Sequence, residues 1–344
     1  MSTALITGIR GQDACMLAKL LVDHGYTVYG IDRRSGEASY WRLREEGVFD
    51  SVSVIHADLT EYHAVKRALE QVRPDLLFNL AAQSFVQASF NNPFTTLNVN
   101  TVGLMNILEA VRELKLETRI YQASTSELFG KPLQVPQSET TPFYPRSPYG
   151  VSKLAAHWMA INYREAYNMF CSCGILFNHE SEYRGEEFLT RKVTKGVAEF
   201  VTGKRTEPIQ VGNLESCRDW GYARDYVEAM YLMLAADSPE DFVIATGKTY
   251  SVRDFITLAF AAGGISIEWG TDEGLPVAVS AQHGIVVRTS PEFYRPAEVD
   301  LLLGDPTRAK EKLGWSASHS LEELIDIMVS KDIARLKMEE GQCH

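Results

Sequence analysis

From Thr3 onward the chain alternates short, almost wholly apolar runs with longer stretches in which apolar residues recur at helical spacing. Residues 4–7, 27–31, 52–57, 76–80, 119–123 and 171–177 read as strands; 13–25, a segment after Asp58, 98–114 and 148–167 read as helices. Such strands, separated by a helix's length of chain, cannot be joined by tight turns. They predict a parallel sheet with crossover helices, an α/β Rossmann-type doubly wound domain over residues 1–177. Past Asn178 the alternation weakens, and helices near 191–202, 223–236 and 251–262 are separated by loops rich in charge and glycine. A smaller C-terminal α/β lobe that binds the substrate is expected over 178–336. Parts of 212–246, either 224–236 or 242–246, are candidates for a return to the sheet domain, and 337–344 reads as a frayed tail.

Composition adds limits. The 344 residues, 45% hydrophobic and 23% charged, suffice for a large core. A formal charge of -11 argues against general attraction to nucleic acid or anionic lipid, so neither is an expected partner, although a local basic pocket for a phosphorylated small molecule stays open. No apolar run reaches the roughly eighteen residues that cross a bilayer, and the N-terminus enters a strand without a signal-peptide pattern, so a cytoplasmic protein is expected. The five cysteines, Cys15, Cys171, Cys173, Cys217 and Cys343, are scattered without C-x-x-C pairs or histidines at zinc spacing. Reduced thiols and no metal site are expected.

Candidate chemistry begins directly after the first strand, at Gly8-Ile9-Arg10-Gly11-Gln12-Asp13-Ala14. A glycine turn opening into a helix lets backbone N–H groups approach a pyrophosphate, although an ordinary tight turn between strand and helix also carries glycines. At the end of the second strand Asp32 is followed by Arg33 and Arg34. An acid there takes the ribose hydroxyls of NAD, and arginines there hold the 2′-phosphate of NADP; NADP is favoured, with NAD left open by Asp32. Asp58 is placed to contact the adenine edge or to cap the next helix, and capping is the favoured role. Tyr149 and Lys153 form a Y-x-x-x-K pair that a helix stacks on one face, where the ammonium is expected to lower the phenol's pKa. The small hydroxylic run Ser124-Thr125-Ser126-Glu127 ends a central strand, where a doubly wound sheet binds its ligands.

A G-x-x-G-x-x-G/A turn, a Ser/Thr and Y-x-x-x-K together resemble the extended short-chain dehydrogenase/reductase family. Within it, Ala81-Ala82-Gln83-Ser84, Tyr121-Gln122-Ala123-Ser124-Thr125-Ser126-Glu127, the stretch 141–149, Gly174-Ile175-Leu176-Phe177-Asn178-His179-Glu180-Ser181 and the stretch 294–300 look like the GDP-mannose 4,6-dehydratases. The resemblance implies Thr125, Glu127, Tyr149 and Lys153 as catalytic residues. It implies cofactor contacts from Gly8, Gly11, Gln12, Asp13, Arg33, Asp58, Leu59, Leu80, Ala82, Ser84, Tyr149, Lys153, His179 and Arg184. For the GDP-sugar it implies Gln83, Ser84, Ser126, Asn178, Lys192, Arg218, Arg295 and Glu298.

The reaction so implied oxidises the sugar at C4, eliminates water across C5 and C6 with Glu127 as the proton carrier, and returns the hydride to C6. A homodimer or homotetramer is implied too, with the 182–186 segment reaching across the interface. Two departures from the pattern stand out: Glu182-Tyr183 where a proline is usual, and Ala14 for the third glycine. Alternatives of the same class are a 4,6-dehydratase of another GDP-sugar, such as a GDP-manno-heptose, and a sugar-nucleotide reductase or epimerase, which would not need Glu127. A dinucleotide-binding protein without catalysis is the alternative of a different class.

Overall fold

The computed structural model describes residues 2–33, 36–293 and 301–341. Arg34, Cys343 and the 294–300 stretch, with Arg295 and Glu298, lie outside the described residues. Strands β1 (Thr3–Thr7), β2 (Thr27–Asp32), β3 (Val52–His56), β4 (Leu76–Asn79), β5 (Arg119–Ala123) and β6 (Cys171–Leu176) form one parallel sheet with a seventh strand, Phe242–Ile244. The order is Phe242–Ile244, β6, β5, β4, β1, β2, β3. The chain winds outward from β1 to β3, then crosses back to β4 on the other side of β1. A crevice therefore opens at the carboxyl ends of β1 and β4.

Both faces of the sheet are covered, which is why its strands read as continuous apolar runs. Leu5, Leu77 and Ile120 point toward the helices Tyr62–Val72, Gly103–Glu113 and Pro148–Tyr167. Their neighbours Ala4, Ile6 and Phe78 face the helices Gln12–Asp23 and Ala223–Ala235. The latter helix and the Phe242–Ile244 strand thus belong physically to the sheet layer, although they come late in the chain. The edge strand is tied down by Asp241, whose carboxylate accepts from both terminal nitrogens of Arg164 at 2.9 and 2.8 Å and from the Cys173 N–H at 3.0 Å.

The rest of the chain packs the helices Leu189–Val201, Val252–Ala262 and Leu321–Gly341 beside a four-stranded sheet of Glu268–Asp272, Leu275–Ser280, Gly284–Thr289 and Ile209–Val211, in that order. The hydrophobic pattern did not reveal the strands between 268 and 289. Glu268–Asp272 buries none of its five residues fully, so its period-two signal is faint, and Pro276 and Gly284 interrupt the rest. The last helix also continues to Gly341 instead of fraying after Leu336. Arg191 holds Asp332 at 2.6 Å, and Lys204 donates to the Leu336 carbonyl at 2.8 Å, which anchors its final turns. Among the described residues no helix is long and apolar enough to cross a membrane.

Burial raises the Asp241 carboxyl, but Arg164 outweighs it and holds the group below its ordinary 3.8. Such a group stabilises the fold above the unfolded-state value and loses that contribution as pH falls through the folded one. Asp241→Asn is expected to cost about 3 kcal/mol at neutral pH. Denaturation midpoints of the two proteins should converge below pH 3.8, and a gap that stays constant with pH would contradict this account.

Candidate active site

At the sheet's carboxyl edge a row of buried side chains links three strands. Thr7 Oγ1 donates to Asn79 Oδ1 at 2.7 Å, Asn79 Nδ2 donates to Gln122 Oε1 at 2.7 Å, and the N–H groups of Leu80 and Ala81 both reach Thr7 Oγ1 at 3.1 Å. The row fixes the loops that leave β1, β4 and β5. The first is the glycine turn: Gly8 has φ +71°, and a Cβ there would lie 2.9 Å from the Cα of Ala81, so the two loops touch only because residue 8 has no side chain. Gly11 precedes the helix Gln12–Asp23 without a side-chain cap, leaving the first-turn N–H groups open to an anion.

The third loop carries Thr125 and Glu127. Thr125 Oγ1 accepts the Glu127 N–H at 3.2 Å, and its own O–H is directed at the Tyr149 phenol oxygen. The helix Pro148–Tyr167 starts at a Ser147 cap that accepts from the Gly150 N–H at 3.0 Å. A Cβ on Gly150 would sit 2.9 Å from the Glu127 carbonyl oxygen, so glycine lets the helix start dock on the Glu127 turn. Tyr149 and Lys153 follow on one face of that helix. All four side chains, each nearly buried, line a cleft of about 890 Å³ together with Gly8, Gly11, Gln12, Asp13, Leu80, Ala82, Ser84, Ser126, Asn178, His179 and Arg184.

Burial sets the proton affinities here. It pushes the Tyr149 phenol up to about 12, with the Thr125 hydroxyl offsetting only part, and it brings the Lys153 ammonium down to about 8. The expected lowering of the phenol by Lys153 is therefore not seen in the protein alone, because desolvation penalises both charged forms. One turn beyond, buried His157 meets Ser124 Oγ at 2.9 Å, and burial lowers its pKa.

Gln12 and Asp13 hold the strand-end segment 178–181 against the glycine turn. Gln12 Nε2 donates to the His179 carbonyl at 3.1 Å, and Ser181 Oγ donates to Gln12 Oε1 at 2.8 Å. His179 Nδ1 faces the Phe177 carbonyl at 2.8 Å, which can only accept, so Nδ1 carries a proton; Nε2 lies 2.9 Å from Asp13 Oδ2, which draws on a second. Burial opposes both charges, yet the pair wins: Asp13 lies below 3.8 and His179 above 6.5.

Two further cavities adjoin. One of about 1310 Å³ is lined by Arg10, Asp32, Arg33, Arg42, Asp58, Leu59 and Gln83. Asp58 there accepts from the Thr60 N–H at 2.9 Å and its hydroxyl at 2.8 Å, forming a local turn; the following helix begins later, after Glu61, so Asp58 is not its cap. The other, of about 1090 Å³, holds Lys192 and Arg218, expected at the substrate, with Phe85 and Phe293. The Lys192 ammonium sits 3.9 Å over the Phe293 ring. In the 182–186 segment Glu182 and Tyr183 are buried in their own chain, Tyr183 O–H donates to Glu46 at 2.9 Å, Arg184 lines its own chain's cleft, and Glu186 is exposed.

Sequence reasoning passed over Arg10, Asn79 and Asn100. Asn100 bonds the Gln83 backbone from both ends, at 2.8 and 3.2 Å, and also Ser152 Oγ at 2.9 Å. A polar residue inside an apolar helical stretch was the available signal for Asn100; for Arg10, it was a charge between the turn glycines. Among the described residues no three His, Cys, Asp or Glu side chains are placed to share a metal ion.

The fold is that of known nucleotide-sugar enzymes. UDP-glucose 4-epimerase of Thermotoga maritima superposes with a TM-score of 0.81 at 24% identity, covering 98% of this chain and 99% of its own. The UDP-glucose 4-epimerase of Bifidobacterium longum gives 0.82 at 20% identity, covering 99% of this chain and 100% of its own. The chain shares their Rossmann-type doubly wound α/β fold. A family model described as GDP-mannose 4,6 dehydratase matches residues 5–328. GDP-mannose 4,6-dehydratase of Yersinia enterocolitica is 46% identical over 98% of this chain and 95% of its own, and the human GDP-mannose 4,6 dehydratase is 45% identical over 98% and 92%. The chain belongs to the GDP-mannose 4,6-dehydratase family.

The Asp13–His179 pair has a defined pH signature. Asp13, lowered, contributes above 3.8, and His179, raised, contributes below 6.5, so the pair stabilises fully between those values and less on either side. In an NMR titration His179 should protonate above 6.5. Asp13→Asn should move it below 6.5, since burial is then opposed by less; an unmoved midpoint would show that the pair is not ionic.

Proposed function

We propose that the chain converts GDP-D-mannose to GDP-4-keto-6-deoxy-D-mannose and water, an NADP-dependent hydro-lyase reaction on the way to a deoxysugar nucleotide of GDP-fucose or GDP-rhamnose type. The observation that carries this reading is the convergence of Thr125, Glu127, Tyr149 and Lys153 in the cleft that the glycine turn also lines. The chain is built to receive a dinucleotide: Gly8 keeps the turn clear of Ala81, the first-turn N–H groups of Gln12–Asp23 are open, and Arg184 Nε, 3.0 Å from Glu180, lacks hydrogen-bond alignment with it. Gly8, Gly11, Gln12 and Asp13 would hold its pyrophosphate side, Lys153 and His179 its nicotinamide side, and Arg33, Asp58 and Leu59 its adenosine. Once bound, it would supply a hydride acceptor for C4 and a donor for C6, and the positive charge of its oxidised form would favour the phenolate.

Tyr149 takes the C4 hydroxyl proton, with the Lys153 ammonium stabilising the phenolate and the Thr125 hydroxyl holding the C4 oxygen. The C4 carbonyl acidifies the C5 proton, which Glu127 removes and delivers to the C6 hydroxyl as water departs. The proton gained by Tyr149 balances the one finally added at C5. Lys192 and Arg218 offer cations to the GDP phosphates, with Asn178, Ser84, Gln83 and Ser126 along the path between the cavities. Exposed Phe94, Leu97 and Trp158 on packed neighbouring helices support self-association, and the formal charge of -11 supports neither nucleic acid nor an anionic membrane as a partner.

Incubation with GDP-mannose and catalytic NADP should give, by mass spectrometry, a product lighter by one water; turnover of a GDP-manno-heptose alone would reassign the sugar. Made in deuterated water, that product should carry deuterium at C5. Glu127→Gln should lower kcat by about 10²- to 10⁴-fold, and near-normal turnover would favour a reductase or epimerase.

A further inference from the structure

The cavity beside β2 holds an acid and a base whose pairing bears on which dinucleotide the protein accepts. Asp32 is the last residue of β2, and its side chain is only 5% exposed. Both carboxylate oxygens are engaged by the protein: Oδ1 accepts from Arg10 Nε at 2.8 Å, and Oδ2 accepts from the Tyr40 hydroxyl at 3.2 Å. An acid at this position of a doubly wound sheet ordinarily receives the ribose hydroxyls of an unphosphorylated dinucleotide, and it repels a 2′-phosphate. Here its lone pairs are already directed at Arg10 and Tyr40, and its charge is matched by a guanidinium.

Arg10 is held in place to do this. It stands between Gly8 and Gly11, and its carbonyl accepts from Arg42 Nη1 at 3.2 Å, while Arg42 Nε donates to the Tyr183 carbonyl at 2.6 Å. The Arg10 side chain remains 35% exposed and lines the cavity with Arg33, Arg42 and Asp58. Among the described residues its side-chain hydrogen bonding is confined to Nε, so the two terminal nitrogens stay available to an oxyanion.

We infer that Arg10 is a specificity-determining residue for the 2′-phosphorylated dinucleotide: it occupies Asp32, which would otherwise bind a ribose diol, and presents its remaining donors to the phosphate. The inference rests on the reading of this cavity as a dinucleotide site and adds the residue that sets its preference. Arg33, one residue past Asp32, contributes charge at the same cavity, and Arg10 bonds the acid directly.

The test is calorimetric titration of the purified full chain with NADP, NAD, adenosine 2′,5′-bisphosphate and 5′-AMP, with thermal melts to verify folding. Arg10→Ala should weaken NADP and the bisphosphate on the order of tenfold or more, while NAD binding stays level or tightens because Asp32 loses its guanidinium partner. Arg10→Lys, which keeps the charge without a fork that can serve acid and phosphate together, should fall between. In an Asp32→Asn background, Arg10→Ala should cost NADP less than it does alone. Should Arg10→Ala fail to fold, the lysine variant and Asp32→Asn carry the same comparison. A wild-type protein that prefers NAD would overturn the NADP reading and this inference with it. A wild-type protein that prefers NADP, with an NADP-to-NAD affinity ratio unmoved in both Arg10 variants, would overturn this inference alone.

Discussion

The hydrogen-bonded row of Thr7, Asn79 and Gln122 is the interaction on which the site's geometry depends. A buried polar group without a partner costs more than a formed hydrogen bond gains, so these three side chains tolerate only the strand register in which they face one another. That register aligns the ends of β1, β4 and β5, and with them the glycine turn, the 80–84 loop and the turn bearing Thr125 and Glu127. Because the Leu80 and Ala81 N–H groups share Thr7 Oγ1, the row also fixes the Gly8–Ala81 approach. A shift of one strand would leave buried amides unpaired and scatter the site together.

Within the cleft, burial competes with pairing, and the two outcomes differ for a physical reason. Asp13 and His179 are of opposite charge and in direct contact, so their attraction exceeds the loss of water around each. Tyr149 and Lys153 have no such dominant partner in the protein. Burial therefore keeps the phenol protonated and weakens the ammonium, and charge arriving with ligands would shift both. The framework is charged and fixed, while the reacting pair is poised to change charge.

Contacts between residues distant in sequence hold the 181–184 segment against the rest of the chain. Glu46, from the sheet domain, accepts both terminal nitrogens of Arg224 at 2.7 and 3.0 Å as well as the Tyr183 hydroxyl, and Arg335 on the last helix reaches Glu45 at 2.9 Å and the Glu182 carbonyl at 2.6 Å. These bonds draw the 181–184 segment inward, so that Tyr183 fills the core while Arg184 faces the cleft.

Much of this was written in local sequence. Fully apolar strand runs, the glycines at 8 and 11, the Ser147-Pro148 helix start and the Tyr149/Lys153 spacing each act within a few residues, so pattern alone located the sheet, the turn and the helix that carries the pair. Thr125 and Glu127 stood out as polar residues just past a strand end, while the roles expected of them came from the family resemblance. What required the tertiary structure were choices between partners far apart in the chain: that Asp32 turns to Arg10 and Tyr40, that Asp13 meets His179, that Asn100 braces Gln83 and Ser152, and that Phe242–Ile244 completes the first sheet. A carboxylate or an amide carries no local sign of which partner it will find, because that is settled by which surfaces burial brings together, and burial depends on the whole chain at once.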